Sequence, residues 1–134
     1  MSCNIEITYE DLEAKIVSAK SIKSTLEKGC IDLGLTKNYE IEIMWALKKK
    51  IQDLNREFRN IDAPTDVLSF PQTKSPNQEI NLLGSIVLNL DKIKEKNENP
   101  LDVILHGLLH LAGFDHETDE SEWNEAAKKI GCGL

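Results

Sequence analysis

Residues 99–116 read NPLDVILHGLLHLAGFDH, and the fold turns on this stretch. Asn99 before Pro100 is an N-cap residue followed by proline at the first helical position, where a missing N–H costs nothing. From Pro100 to Leu111 apolar residues occupy most sides, so the spacing predicts a buried helix. Gly113 can take the left-handed conformation that ends a helix, which lets the chain turn back after it. A helix that is apolar nearly all round needs covering layers, and the flanking sequence must supply them.

Ile5–Tyr9 and Ile41–Trp45 alternate apolar and polar residues and are predicted strands. Asp66–Phe70, closed by Pro71, and Ser85–Asn89 are the third and fourth. A helix carrying Leu12, Ile16, Ile22 and Leu26 is expected after the first strand, stopping near Gly29 or Gly34. Lys48–Phe58 carries Ile51, Leu54, Asn55 and Phe58 at helical spacing, with lysines on the other side. Asp62–Thr65 is a turn, and the polar segment Gln72–Asn81 is an exposed loop. Leu90–Asn97 is a short helix, and an amphipathic helix runs from about Asp119 to Ile130. No repeat or linker interrupts the chain. The expected architecture is one α+β domain over residues 1–134, with a small mixed β-sheet of about four strands packed with helices around the buried one.

The length of 134 residues suits one domain, and 40% hydrophobic with 29% charged residues is an ordinary globular composition. Collagenous, low-complexity and disordered chains are excluded. No apolar run approaches the roughly 18 residues a membrane-spanning helix needs. The start, MSCNIEITYEDLEAK, lacks the basic end and apolar core of a signal peptide, so the cytoplasm is the expected compartment. A net charge of −7 speaks against a generic nucleic-acid coat protein. That average hides a basic segment from Met44 to Arg59 (Lys48, Lys49, Lys50, Arg56, Arg59) and an acidic one from Asp115 to Glu125. The three cysteines, Cys3, Cys30 and Cys132, are odd in number and form no C-x-x-C pair, so no disulfide framework is expected.

All three histidines fall within HGLLHLAGFDH, at His106, His110 and His116. Residues four apart on a helix share one face, so His106 and His110 can hold one metal ion. The turn at Gly113 can return His116 to the same point. Three neutral imidazoles leave a fourth tetrahedral position for water, as in catalytic zinc sites. Zinc is the default metal, although ligand type alone also fits nickel, copper or iron. The ligand spacing is metzincin-like, but those proteases use a Glu directly after the first His as general base, and here that residue is Gly107. Peptide hydrolysis by that route is not expected. Asp102 either orients His106 or meets the helix dipole, with the dipole favoured. Asp115 is a turn stabiliser or a chemical group.

HGLLHLAGFDH closely resembles the signature of the YbeY family of bacterial endoribonucleases, also called rRNA maturation factors. A second block agrees: Leu54-Asn55-Arg56-Glu57-Phe58-Arg59 followed by Pro64-Thr65-Asp66-Val67-Leu68-Ser69-Phe70-Pro71. The resemblance covers residues 40–125 well and the N-terminal third in general shape. It implies a mixed α+β sheet with a zinc-binding helix behind it. It also implies one Zn2+ per chain on His106, His110 and His116, with Arg59 as the functional arginine of the cleft. The implied activity is zinc-dependent, single-strand-specific RNA cleavage in 16S rRNA 3′-end maturation and ribosome quality control. Its implied partners are rRNA and the small ribosomal subunit, not DNA. Two departures stand out. The family often has Gly-Asp before the fourth strand where this chain has Gly84-Ser85, and Trp123 stands where Met is frequent.

In that chemistry Arg59 clamps a phosphate with its planar fork, and His110, as a metal ligand, is the second catalytic expectation. Lys48–Lys50 either guide the RNA backbone or form a solvated helix face. No general base is evident. Two rivals are a zinc hydrolase of peptides or small molecules, opposed by Gly107, and an RNA-binding assembly protein in which zinc is only structural.

Overall fold

The alternating segments form strands, and the computed structural model describes residues 3–35, 38–72 and 81–133. Strands β1 (Cys3–Tyr9) and β2 (Tyr39–Trp45) pair in parallel, with Ile5 opposite Ile41 and Ile7 opposite Ile43. Strands β3 (Val67–Pro71) and β4 (Asn81–Leu88) pair antiparallel, and β4 runs parallel to β2. The result is the expected mixed sheet, in order β1-β2-β4-β3, which makes β3 an edge.

Five helices cover it: α1 (Ala19–Asp32), α2 (Lys48–Arg59), α3 (Leu90–Glu95), α4 (Pro100–Leu111) and α5 (Glu120–Ile130). Because strand side chains alternate, Ile86 and Val87 point to opposite faces. On one face Ile41, Ile43, Ile86 and Leu88 join Ile22 and Leu26 of α1, most of α4, and Trp123 and Ile130 of α5. On the other, Ala46, Leu68 and Val87 pack with Ile51 of α2, flanked by Met44, Leu54 and Phe70. Helix α4 is the buried helix read from the sequence: Val103, Ile104, Leu108 and Leu109 are fully enclosed. Asn99 caps it by accepting from the Leu101 N–H. None of the helices is long and apolar enough to cross a membrane.

Several boundaries differ from expectation. The helix expected to carry both Leu12 and Ile22 is two pieces. A 3₁₀ turn spans Leu12–Ile16, Val17 is extended, and Ser18 starts α1 by accepting from the Ser21 N–H. The local cap outcompetes continuation of the helix, and Leu12 and Ile16 are left 67% and 78% exposed. Pro71 is the last residue of β3 and closes it as expected, a place an edge strand tolerates. Asp66 precedes that strand. Strand β4 begins at Asn81, well before Ser85, and ends before Asn89, which caps α3 by accepting from the Lys92 N–H. Most of the expected loop, 73–80, lies outside the described residues.

Candidate metal centre

Helix α4 carries His106 and His110 on its cleft-facing stripe, one turn apart, with ring centroids 5.0 Å from each other. The helix ends at Leu111, and Gly113 takes φ +98°, a conformation that side chains other than glycine rarely adopt. The returning chain brings His116 within 5.7 Å of His106 and 5.6 Å of His110, centroid to centroid. One ligand atom from each ring lies within 4.8 Å of the others. The three sequence-predicted ligands thus meet at one point.

Gly107 shows why α4 can sit so close to the sheet. A Cβ there would stand 2.9 Å from Ile86 Cγ2 and 3.0 Å from Cδ1. The position occupied by the metzincin glutamate therefore faces β4, with no room for a carboxylate.

The donor chemistry fits a cation. Burial, then His110 and His116, push His106 down to about 4. His110 is lowered as well, by burial first and then by His116. Both rings are neutral at pH 7 and keep a lone pair for a metal. His106 Nδ1 is buried without a hydrogen-bond partner among the described residues.

Trp123 of α5 forms the floor under this cluster. It is 4% exposed, and its ring lies 4.8, 4.9 and 5.1 Å from those of His106, His110 and His116. The sequence showed only a large residue on an amphipathic helix; the contact with all three imidazoles is tertiary.

The histidines open into a cleft of about 740 Å³ that runs along the β3 edge. Arg59 and Phe58, at the end of α2, line the same cleft, as do Thr65–Pro71 and the turn Gly113–Glu117. Asn60 stops α2 in the left-handed conformation, with its N–H on Arg56 O. Asn55, nearly buried, donates from Nδ2 to Ala63 O at 2.9 Å and so ties down the loop that feeds β3. Arg59 thus lines the same cleft as the imidazoles. Lys48, Lys49 and Lys50 do not line the cleft, and Lys49 pairs with Asp53. Arg56 also pairs with Asp53 and with Asp62. Of the basic segment only Arg59 faces the site, which favours the solvated-face reading for the lysines.

Asp102 takes neither expected role alone. It lies in the first turn of α4, where the dipole favours an acid, and its Oδ1 also accepts from the Gly133 N–H, tying the C-terminal segment to the helix. Asp115 Oδ1 accepts from the Glu117 N–H, the turn-stabilising role. Ser85 lies on the sheet face turned away from α4, where its hydroxyl donates to Glu42 at 3.0 Å. Ser85 is not among the residues lining the cleft.

Asp66, in the cleft wall, pairs with Glu98, and that pairing is not legible in the sequence. Asp66, almost buried, accepts from Thr65 Oγ1 and the Val67 N–H, and its Oδ2 pairs with Lys96 at 3.4 Å. Burial opposes its charge, but Glu98, Lys96 and these donors outweigh it and hold the carboxyl low. Glu98 beside it is pushed up to about 7 by burial and by Asp66. Glu98 sits in an irregular segment with no periodicity to flag it.

Comparison with known proteins agrees with this geometry. The family model for endoribonuclease YbeY matches residues 4–130. The endoribonuclease YbeY of Aliarcobacter butzleri (strain RM4018) is 42% identical over 120 residues, covering 84% of this chain and 78% of that protein. Its namesake from Sulfurihydrogenibium sp. (strain YO3AOP1) is 36% identical over 121 residues, covering 84% and 79%. The solution structure of a Thermotoga maritima protein superposes with a TM-score of 0.53 at 30% identity, covering 94% of this chain and 85% of that one.

Proposed function

Since this chain belongs to the YbeY family of endoribonucleases, we propose that residues 1–134 form one zinc-dependent, single-strand-specific endoribonuclease domain acting in 16S rRNA 3′-end maturation and ribosome quality control. The reading places it in the cytoplasm, with rRNA as substrate and the small ribosomal subunit as partner. One observation carries it: three converging imidazoles and Arg59 line one cleft.

His106, His110 and His116 would hold the metal through one ring nitrogen each. A bound zinc ion supplies Lewis acidity toward a phosphoryl oxygen. Arg59 grips the phosphodiester with its planar, always-charged fork and stabilises the negative charge that grows there. It extends from the C-terminal end of α2, where the helix dipole also favours a cation. Trp123 restrains the three rings from below, so the donor set is held before substrate arrives. Gly107 offers no side chain to act as a base, which supports a nuclease over a metzincin-type peptidase.

The test is cleavage of single-stranded and duplex RNA by purified wild type, His110→Ala and Arg59→Ala, with the metal content of each measured. We expect about one zinc per chain in wild type, selective cutting of the single strand, loss of metal and activity in His110→Ala, and retained metal with activity lowered at least ~100-fold in Arg59→Ala. Equal cleavage by all three proteins would sink the reading.

A further inference from the structure

We propose that Phe58, braced by Phe70, is a stacking platform for one unpaired nucleobase of the RNA held in the cleft; this inference rests on the endoribonuclease reading above.

Six large hydrophobic side chains are exposed among the described residues: Leu12, Ile16, Ile31, Leu47, Phe58 and Ile61. Single exposed aliphatics are normal on a protein surface. Phe58 differs in two ways. It is the one aromatic ring of the six, and it is the one that lines the cleft shared by Arg59 and the histidines.

Its position follows from the fold. Ile51, Leu54 and Phe58 form the apolar stripe of α2, and the stripe slides off the sheet toward its end. Ile51 is fully buried, Leu54 is half-buried, and Phe58 is 61% exposed. Phe70 of edge strand β3 meets the Phe58 ring edge-on at 5.2 Å and 71°. That contact fixes the ring's tilt while leaving much of its surface to the cleft.

The neighbouring chemistry selects the occupant. Arg59, the next residue, provides a cation for a phosphate, and Phe58 provides a flat apolar surface beside it. One nucleotide offers both features, an anionic phosphate and an aromatic base. A base inside a duplex is already stacked on both faces and paired at its edge, so it cannot reach the ring. An unpaired base can. The platform thus gives a physical origin for single-strand preference that does not depend on base identity.

The test uses zinc-loaded full-length protein and a single-stranded oligoribonucleotide, with KM and kcat measured for wild type, Phe58→Leu and Phe58→Tyr. A parallel set of oligonucleotides carries one abasic site at successive positions around the cut. Stacking predicts a KM raised roughly 5- to 100-fold in Phe58→Leu and near wild type in Phe58→Tyr. It also predicts that one abasic position weakens wild type by a similar factor and has no further effect on Phe58→Leu. The salt dependence of KM stays that of wild type in Phe58→Leu, whereas Arg59→Ala flattens it. A wild-type KM in Phe58→Leu, or abasic and Phe58→Leu effects that multiply independently, overturns the platform while leaving the nuclease intact. Failure of wild type to cut RNA overturns the endoribonuclease reading and this inference with it.

Discussion

Gly107→Ala sets two known effects against each other. Alanine in a helix interior is favoured over glycine by about 1 kcal/mol. Here the new methyl would meet Ile86 Cγ2, Cδ1 and Cγ1 at 2.9, 3.0 and 3.2 Å, inside the roughly 3.5–4.0 Å that carbon contacts prefer. Ile86 is fully buried and β-branched on a strand, so its side chain has little freedom to swing aside. Helix α4 must retreat by roughly 0.5–1 Å instead, at about 1–3 kcal/mol for an overpacked core. The steric term wins, and net destabilisation of about 0–2 kcal/mol is expected in denaturant titrations. Activity should fall further than stability. His106 and His110 ride on the displaced helix while Arg59 stays on α2, and a 1 Å misplacement can cost about 100-fold. Ile86→Ala removes all three clashing atoms, so the double variant should lose less than the sum of the singles. A Gly107→Ala protein about 1 kcal/mol more stable than wild type and fully active would refute the close-approach argument.

Trp123→Ala should destabilise by about 3–5 kcal/mol and weaken metal binding, whereas Trp123→Met should keep most of both; thermal melts with and without zinc check this. For the metal-free protein, His106 at about 4 lies below its unfolded value of 6.5, so the stability it contributes is present above pH 6.5 and lost as pH falls toward 4. After allowance for solvent screening this is about 1–2 kcal/mol. Glu98, raised to about 7, acts in the opposite sense, since its folded form takes up a proton first. Denaturant midpoints at pH 7 and pH 5 should therefore fall more in Glu98→Gln than in wild type, and an equal fall would contradict the assignment. Finally, the Cys3 and Cys30 sulfurs share a hydrogen bond across 3.8 Å; that contact lowers the Cys3 thiol, while the same contact and burial raise Cys30. Timed iodoacetamide labelling followed by peptide mass analysis should find Cys3 modified first.

The parts legible in the sequence are those whose geometry is local. Helical period alone puts His106 and His110 on one face, and Gly113 announces the turn that returns His116. Strand alternation likewise gave β1 and β2 within a few residues. Where two local signals competed, reading failed. The Leu12–Leu26 stripe suggested one helix, but Ser18 offers a cap that splits it. The fourth strand is expected from Ser85, yet β4 runs from Asn81 through Gly84.

The cleft has a different logic from its metal centre. Its walls come from two stretches far apart in the sequence, the end of α2 with edge strand β3 and the stripe of α4 with the turn after it, which the sheet order brings together. Strand β3 returns antiparallel beside β4, and among the described residues Phe70 is the ring that meets Phe58, which stays 61% exposed. No window of sequence contains that fact. Arg59 is identified through a family pattern, and in the sequence Phe58 is the last of the residues at helical spacing in Lys48–Phe58. An apolar stripe that outruns its sheet reads as core from sequence and presents a surface in the fold. Where such a stripe ends beside a cation and a candidate metal centre, the exposed ring is better explained by what the cleft holds than by packing.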